Sequence, residues 1–153
     1  MNYWLMKSEP GDCSIDDALA APQQTESWTG IRNYQARNFM RDEMKIGDQA
    51  LLYHSNAKPP GIVGIATIVK ESYVDHTAFD KNDKHFDPKS KKDNPRWFMV
   101  DIKLAEKFAR LISLDEIKTV KGLEDMVLLN NSRLSVQPVA KKEFDKILKL
   151  AKK

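Results

Sequence analysis

Aromatic residues set among polar ones are the feature of this 153-residue sequence best suited to bind a flat ligand. Trp28 lies in the stretch Ser27–Tyr34, which contains a glycine and so cannot be one continuous strand or helix. A tryptophan in such a position can stack on a nucleobase, with Asn33 or Ser55 reading the base edge and nearby arginines contacting phosphate. The alternative is that Trp28 anchors this loop to the hydrophobic core.

Common catalytic and metal-binding motifs are absent from the sequence. It contains no G-x-S-x-G, no glycine-rich phosphate loop and no H-E-x-x-H. The segment 75–87 has histidine and aspartate side chains, but it lacks the acidic spacing and the glycine of a calcium loop. We therefore predict no catalytic residue, no metal site and no cofactor. An enzyme or sensor acting on a nucleotide-like small molecule is an alternative, suggested by Cys13 and by His54 next to Ser55.

The charge of the chain is weakly positive and unevenly distributed. Its 25 basic and 22 acidic residues give a formal net charge of +3 at pH 7. Six lysines and two acidic residues fall within 141–153, so the rest of the chain is close to neutral. A lysine-rich final helix is typical of a solvated surface as well as of a phosphate-binding one. Net charge alone therefore does not predict nucleic-acid binding.

Length and composition predict one soluble domain over residues 1–153. A hydrophobic content of 41% is enough for a core in a chain of this size. No run approaches the roughly 20 apolar residues of a membrane helix, and the first residues lack the pattern of a signal peptide. Cys13 is the only cysteine, which excludes an internal disulfide and fits a reducing compartment. We expect a cytoplasmic protein that does not associate with a membrane.

Hydrophobic periodicity predicts an α+β fold. Gly61 and Gly64 in the third strand indicate a bulge or a close approach of another backbone. The polar segment 75–95 is predicted to be a long loop. We expect a mostly antiparallel sheet that curls into a small barrel, with helices inserted between strands and one at the C-terminus. Strands are predicted at 2–7, 49–55, 62–73, 97–107 and 133–136, and helices at 15–21, at 33–43, from the capping box at Ser113, and from about Pro138 to the end.

Several motifs, in order along nearly the whole chain, resemble the EVE domain. This family belongs to the PUA-like barrel superfamily and is similar to the YTH domains, which read methylated adenine in RNA. Its eukaryotic members include nuclear proteins of the thymocyte nuclear protein type, whereas short stand-alone forms such as this chain look bacterial. The matching stretches are YWLMKSEP (Tyr3–Pro10), W-x-G-I-R-N-Y-Q-A-R-N-F (Trp28–Phe39), G-D-x-x-L-x-Y-H-S (Gly47–Ser55), G-I-V-G-I-A (Gly61–Ala66) and R-L-S-V-x-P (Arg133–Pro138).

The resemblance implies a non-catalytic reader whose pocket accepts a modified base flipped out of the stack. The expected base is a 5-methyl- or 5-hydroxymethylcytosine, in DNA rather than RNA. A nuclease or restriction enzyme is a candidate partner, and the sequence leaves open whether the protein works alone. The alternative is a PUA-like RNA-binding module for tRNA or rRNA. Phosphate contacts are expected from Arg32 and Arg37. The residues expected around the base are Lys7, Ser8, Trp28, Asn33, Tyr53, Ser55, Ser135 and Pro138.

Overall fold

A six-stranded sheet lies at the centre of the computed structural model, which describes residues 1–11, 13–131 and 133–153. The strands are β1 (Tyr3–Ser8), β2 (Thr25–Ser27), β3 (Gln49–His54), β4 (Gly61–Val74), β5 (Phe98–Ser113) and β6 (Val136–Val139). Their order across the sheet is β2-β5-β4-β3-β1-β6. β1 and β3 run parallel, and the other neighbouring strands are antiparallel. The predicted α+β class with a mostly antiparallel sheet is confirmed.

The helices are short, and they start largely where the sequence predicts. Ser14 and Ser113 cap α1 and α3 by accepting hydrogen bonds from backbone N–H groups three residues later. The predicted helix 33–43 is present, but its second half, Phe39–Glu43, is a π-helical turn. The α-helices are α1 (Ile15–Ala20), α2 (Tyr34–Asn38), α3 (Leu114–Thr119), α4 (Val127–Asn130) and α5 (Lys141–Ala151). No helix within the described ranges is long and apolar enough to cross a membrane.

Bulges between the two longest strands, β4 and β5, curl the sheet. Their pairing register shifts at four places between Ile62 and Tyr73, and each shift increases the local twist. At Gly61 and Gly64 a β-carbon would collide with the backbone carbonyls of Ile112 and Glu106 on β5. This confirms the close backbone approach predicted from the two glycines. Among the described residues, β2 and β6 remain the edges of the sheet, so hydrogen bonds do not close the barrel.

Two hydrophobic cores lie on opposite faces of the sheet. Alternation along β1 places Trp4 and Met6 in the first core and Leu5 in the second. Helices α1 and α2 cover the first core, which also contains Trp28. Helices α3, α4 and α5 cover the second core, which contains Phe144. Helix α1, which follows β1, and Trp28, which follows β2, therefore pack in the same core.

The predicted strand 133–136 and the helix starting at Pro138 are shifted in the structure. β6 spans Val136–Val139, and α5 begins at Lys141. Pro138 lies within β6, which is an edge strand and so tolerates a residue without an N–H group. Glu143 caps α5 instead, by accepting a hydrogen bond from the backbone N–H of Ala140 at 2.9 Å.

Candidate functional site

A cavity of about 560 Å³ opens where β1 and β3 end. Because these strands are parallel, their carboxyl ends meet at one edge of the sheet, and the N–H of Ser55 donates to the carbonyl of Ser8 at 2.9 Å. The N–H of Lys7 donates to the carbonyl of Ser135, just before β6, at 2.9 Å. Segment 26–31 and the loop after β4 supply two further walls, and Glu9, Cys13, Asp17 and Arg133 complete the lining. The cavity is thus assembled from parts of the chain that are far apart in sequence.

Five of the eight expected base-contacting residues line this cavity. Each lies at the end of a strand or just beside one, and each forms part of the cavity lining. The five are Lys7, Ser8, Trp28, Ser55 and Ser135.

Trp28 is both a core residue and part of the cavity wall. Its backbone N–H donates to the carbonyl of Val100 at 2.7 Å, which extends the pairing of β2 with β5 by one residue. The residue is 7% exposed and belongs to the first core, yet it also lines the cavity. The ring is therefore anchored by the core and forms part of the cavity wall.

The other three expected base-contacting residues lie elsewhere. Asn33 caps α2, because its Oδ1 accepts a hydrogen bond from the N–H of Ala36 at 2.9 Å. Tyr53 is buried in the second core. Pro138 is exposed on β6. The pocket assignment is corrected for all three: helix capping, core packing and the shifted strand place them outside the cavity lining.

Arg32 is also not placed to bind phosphate. A guanidinium has five N–H donors, and those of Arg32 all point to acceptors within the protein. Nε and Nη2 donate to the His85 carbonyl, and Nη2 also donates to Thr77 Oγ1. Nη1 donates to the Ile31 carbonyl and to Asp75 Oδ2. The expectation of a phosphate contact is corrected, because this arginine ties segment 26–31 to the loop after β4.

Arg37 lies outside the cavity lining, on the surface of α2. Its Nη1 donates to the carbonyl of Arg96 at 3.0 Å, and Nε and Nη2 donate to Asn38 Oδ1. Its guanidinium carbon is 4.7 Å from the centre of the Tyr34 ring, which stacks on Trp97. The structure thus places Arg37 in an aromatic cluster apart from the cavity.

Asp75 holds the wall that Trp28 and Gly30 form. It is fully buried and accepts hydrogen bonds from the N–H of Gly30, from Arg32, and from both the N–H and Oγ1 of Thr77. Burial acts to raise the pKa of Asp75, but the hydrogen bonds from Thr77, Gly30 and Arg32 outweigh it and keep the pKa below its ordinary value. The charged carboxylate therefore fixes the position of Gly30, whose α-carbon packs directly against the imidazole of His85.

His54 has a structural role that the enzyme alternative does not use. Its Nε2 accepts a hydrogen bond from the N–H of Ile15 at 3.1 Å, at the start of α1. Burial lowers the pKa of His54 from its usual value, while the charge of Asp16 opposes this shift and that of Lys107 adds to it. The imidazole is therefore neutral at pH 7 and stabilises the first turn of α1. Within the described ranges, no group of three or more His, Cys, Asp or Glu residues is placed to hold a metal ion.

Sequence reasoning missed the charged residues of the cavity. Ser8 Oγ donates to the carbonyl of Cys13 at 2.7 Å, so its lone pairs are left to accept hydrogen bonds. In addition to Lys7, the described lining of the cavity includes three carboxylates, two cations and an imidazole. Only Arg133 had a signal, because it begins one of the motifs that match the EVE domain. The missed residues are Glu9, Asp17, Glu26, Lys84, His85 and Arg133.

Comparison with known proteins identifies the family. The family model of the EVE domain matches residues 2–150. Thymocyte nuclear protein 1 of Rattus norvegicus is 52% identical over an alignment that covers 97% of this chain and 73% of the rat protein. The crystal structure of human THYN1 protein in complex with 5-methylcytosine-containing DNA is 48% identical, with a TM-score of 0.95, covering 100% of this chain and 99% of that one.

Two further structures show how widely the fold is shared. A hypothetical protein from Leishmania major is 45% identical with a TM-score of 0.95, covering 99% of this chain and 95% of that one. A mutant ASCH protein from Zymomonas mobilis, 11% identical with a TM-score of 0.54, shares the fold alone. The predicted bacterial source of this chain is not favoured, because animal proteins are among the relatives that share 50–53% of its sequence. By its match to the family model and to these relatives over almost its whole length, the chain belongs to the EVE-domain family.

Proposed function

We propose that this protein is a non-catalytic reader of 5-methylcytosine in DNA. One observation carries the proposal: a cavity of about 560 Å³ with Trp28 in its wall, in a chain 48% identical to the human protein crystallised with 5-methylcytosine-containing DNA. The volume lies within the range of about 300–1,000 Å³ that is usual for small-ligand pockets. A base inside a duplex cannot enter such a cavity, so the methylated cytosine would have to be flipped out of the stack.

The residues of the cavity suit a flat, polar, methylated ring. Trp28 provides a stacking surface, which is worth about 1–3 kcal/mol per base. Ile31 adds apolar surface for a methyl group. Ser8 and Ser55 provide hydroxyl groups for the base edge, while Lys7, whose pKa is lowered by burial, provides a partly desolvated cation. A reader of this kind would act through a companion protein, and a nuclease remains our proposal for it.

Methylated DNA is expected to bind more tightly than unmodified DNA of the same sequence. Burying one methyl-sized group contributes about 0.8 kcal/mol, so the preference should be about fourfold or larger. Fluorescence anisotropy with otherwise identical oligonucleotides carrying cytosine, 5-methylcytosine or 5-hydroxymethylcytosine measures it. Equal affinity for the three would contradict the proposal. Tighter binding of matched RNA would favour the RNA-binding alternative, and binding of the free nucleoside alone would favour a small-molecule sensor.

Arg133→Gln is expected to weaken binding to methylated and unmodified DNA by the same factor. Arg133 is exposed at the cavity, and a phosphate that it neutralises would release a counterion. Its loss should reduce the slope of log affinity against log salt by about 1. Arg41→Gln is the matched control, since Arg41 is paired with Asp42 away from the cavity. An unchanged slope in Arg133→Gln would exclude Arg133 as a phosphate contact.

A further inference from the structure

Glu26 lies on the face of β2 that borders the cavity. It pairs with Ile102 of β5, which belongs to the same core as Trp28. Because side chains two residues apart on a strand point to the same side, Glu26 and Trp28 share one face. Both line the cavity. A carboxylate and an aromatic ring are therefore placed side by side where a flipped base would enter.

The Glu26 carboxylate differs from the other two carboxylates of the cavity. Asp17 accepts a hydrogen bond from the N–H of Ser14 at 2.9 Å in the capping box of α1, and Glu9 accepts one from Asn56 Nδ2 at 2.6 Å. In the part of the chain that the structure describes, the Glu26 side chain makes no hydrogen bond or ion pair. Burial, with a contribution from the nearby charge of Asp17, raises the pKa of Glu26. A ligand that donates a hydrogen bond would relieve this unfavourable environment.

A reader of 5-methylcytosine must reject thymine, which carries the same methyl group. The two bases differ at position 4, where cytosine has an amino group that donates and thymine has a carbonyl oxygen that accepts. A stacking wall and a methyl contact cannot distinguish them, since both bases offer the same ring face and the same methyl. An ionised carboxylate that faces position 4 can, because it only accepts hydrogen bonds and thymine offers no donor there.

We propose that Glu26 is the specificity-determining residue of the cavity: it accepts a hydrogen bond from the 4-amino group of the bound cytosine and thereby excludes thymine. The inference rests on the proposed function. Glutamate and aspartate accepting from the cytosine amino group is a recurring contact in protein–DNA recognition. Here the contact would be made inside the cavity, next to the stacking ring.

The test compares single-stranded oligonucleotides that carry 5-methylcytosine, cytosine or thymine at one position, so that base-pair opening does not contribute. The parent protein should prefer 5-methylcytosine to thymine by roughly tenfold to hundredfold, the usual range for one good base-edge contact. In Glu26→Gln the ratio should fall to about threefold or less, because an amide both donates and accepts. The preference for 5-methylcytosine over cytosine should stay unchanged. Glu26→Asp, which keeps the charge, should retain the preference over thymine.

Glu9→Gln is the matched control, because it removes the same charge from the same cavity at a carboxylate that Asn56 already engages. It should leave the ratio of 5-methylcytosine to thymine affinity as in the parent. A Glu26→Gln variant that folds like the parent and keeps the full ratio would overturn the inference while leaving the proposed function intact. A parent protein that does not distinguish 5-methylcytosine from cytosine would instead overturn the proposed function itself.

Discussion

Replacement of Trp28 by alanine is expected to lower the free energy of unfolding by about 3–5 kcal/mol and to abolish preferential binding of methylated DNA. The stability loss follows from burial, since the residue is 7% exposed and packs in the first core. The binding loss follows from its place in the cavity wall. Urea denaturation measures the first effect, and anisotropy with methylated oligonucleotides measures the second.

Because an alanine variant changes stability and binding together, Trp28→Leu is the more informative change. Leucine keeps much of the apolar volume but removes the flat ring, so affinity should fall by the roughly 1–3 kcal/mol of one stacking contact. Trp4→Phe is the control. Trp4 is 2% exposed in the same core, does not line the cavity, and donates from its indole nitrogen to Asp48 at 3.0 Å. That variant should lose stability and keep the methylcytosine preference. Unchanged binding by folded Trp28→Leu would remove the ring from the site.

The central strands could be predicted from the sequence, because both of their faces are buried and each is a short apolar run bounded by turn residues. β1 and β3 lie within one residue of their predicted bounds. Helix starts were equally readable, since Ser14 and Ser113 supply the side-chain oxygens that cap α1 and α3. These signals are local, so no tertiary information is needed to see them.

β2 could not be predicted, because three residues are too few to show a period. Its existence depends on pairing with residues 101–103 of β5, far away in sequence. Glu26 lies in its centre and was overlooked for that reason. The sequence predicts Pro138 near the first turn of a helix, where proline is favoured, whereas the edge position of β6 admits it equally well.

Part of the site could be predicted, because some of its residues lie at the ends of strands that the sequence predicts. Lys7, Ser8 and Ser55 lie at the ends of predicted strands, and strand ends gather at one edge of a sheet. The role of Arg32 was not predictable, since a sequence does not show whether the donors of a guanidinium are already used. His85 reaches the cavity only because the loop after β4 folds back onto Gly30. The buried carboxylate of Asp75 accepts the hydrogen bonds that hold this loop in place.

Asp75→Asn is expected to destabilise the protein by about 3 kcal/mol and to weaken DNA binding beyond the loss of folded protein. Asp75 Oδ1 accepts both bonds from Thr77, and Oδ2 accepts from the N–H of Gly30 and from Arg32. Whichever way an asparagine amide is turned, its NH₂ group faces at least one N–H group that can only donate. The variant therefore loses at least one hydrogen bond and leaves the charge of Arg32 without its partner. With Gly30 released, the wall beside Trp28 should loosen.

The pH dependence gives a second, independent readout of the same contact. Hydrogen bonds hold the pKa of Asp75 in the folded protein below its ordinary value of 3.8. Its contribution to stability is thus fully present above that value and is lost as the pH falls through the folded-state pKa. Asparagine does not titrate, so the stability difference between parent and variant should narrow below about pH 3.8 and stay constant above it. Thermal unfolding across this range measures the difference.

Asp42→Asn serves as the control for Asp75→Asn, because Asp42 is an exposed aspartate that is also paired with an arginine, Arg41. Solvent screens such a pair, so the control should remain close to the parent in stability and in binding. If Asp75→Asn showed the same small effect, Asp75 would not be the contact that orders the wall. If it lost stability but bound methylated DNA like the parent once folded, the wall would keep its shape without Asp75, and the cavity would depend on Trp28 and the strand ends alone.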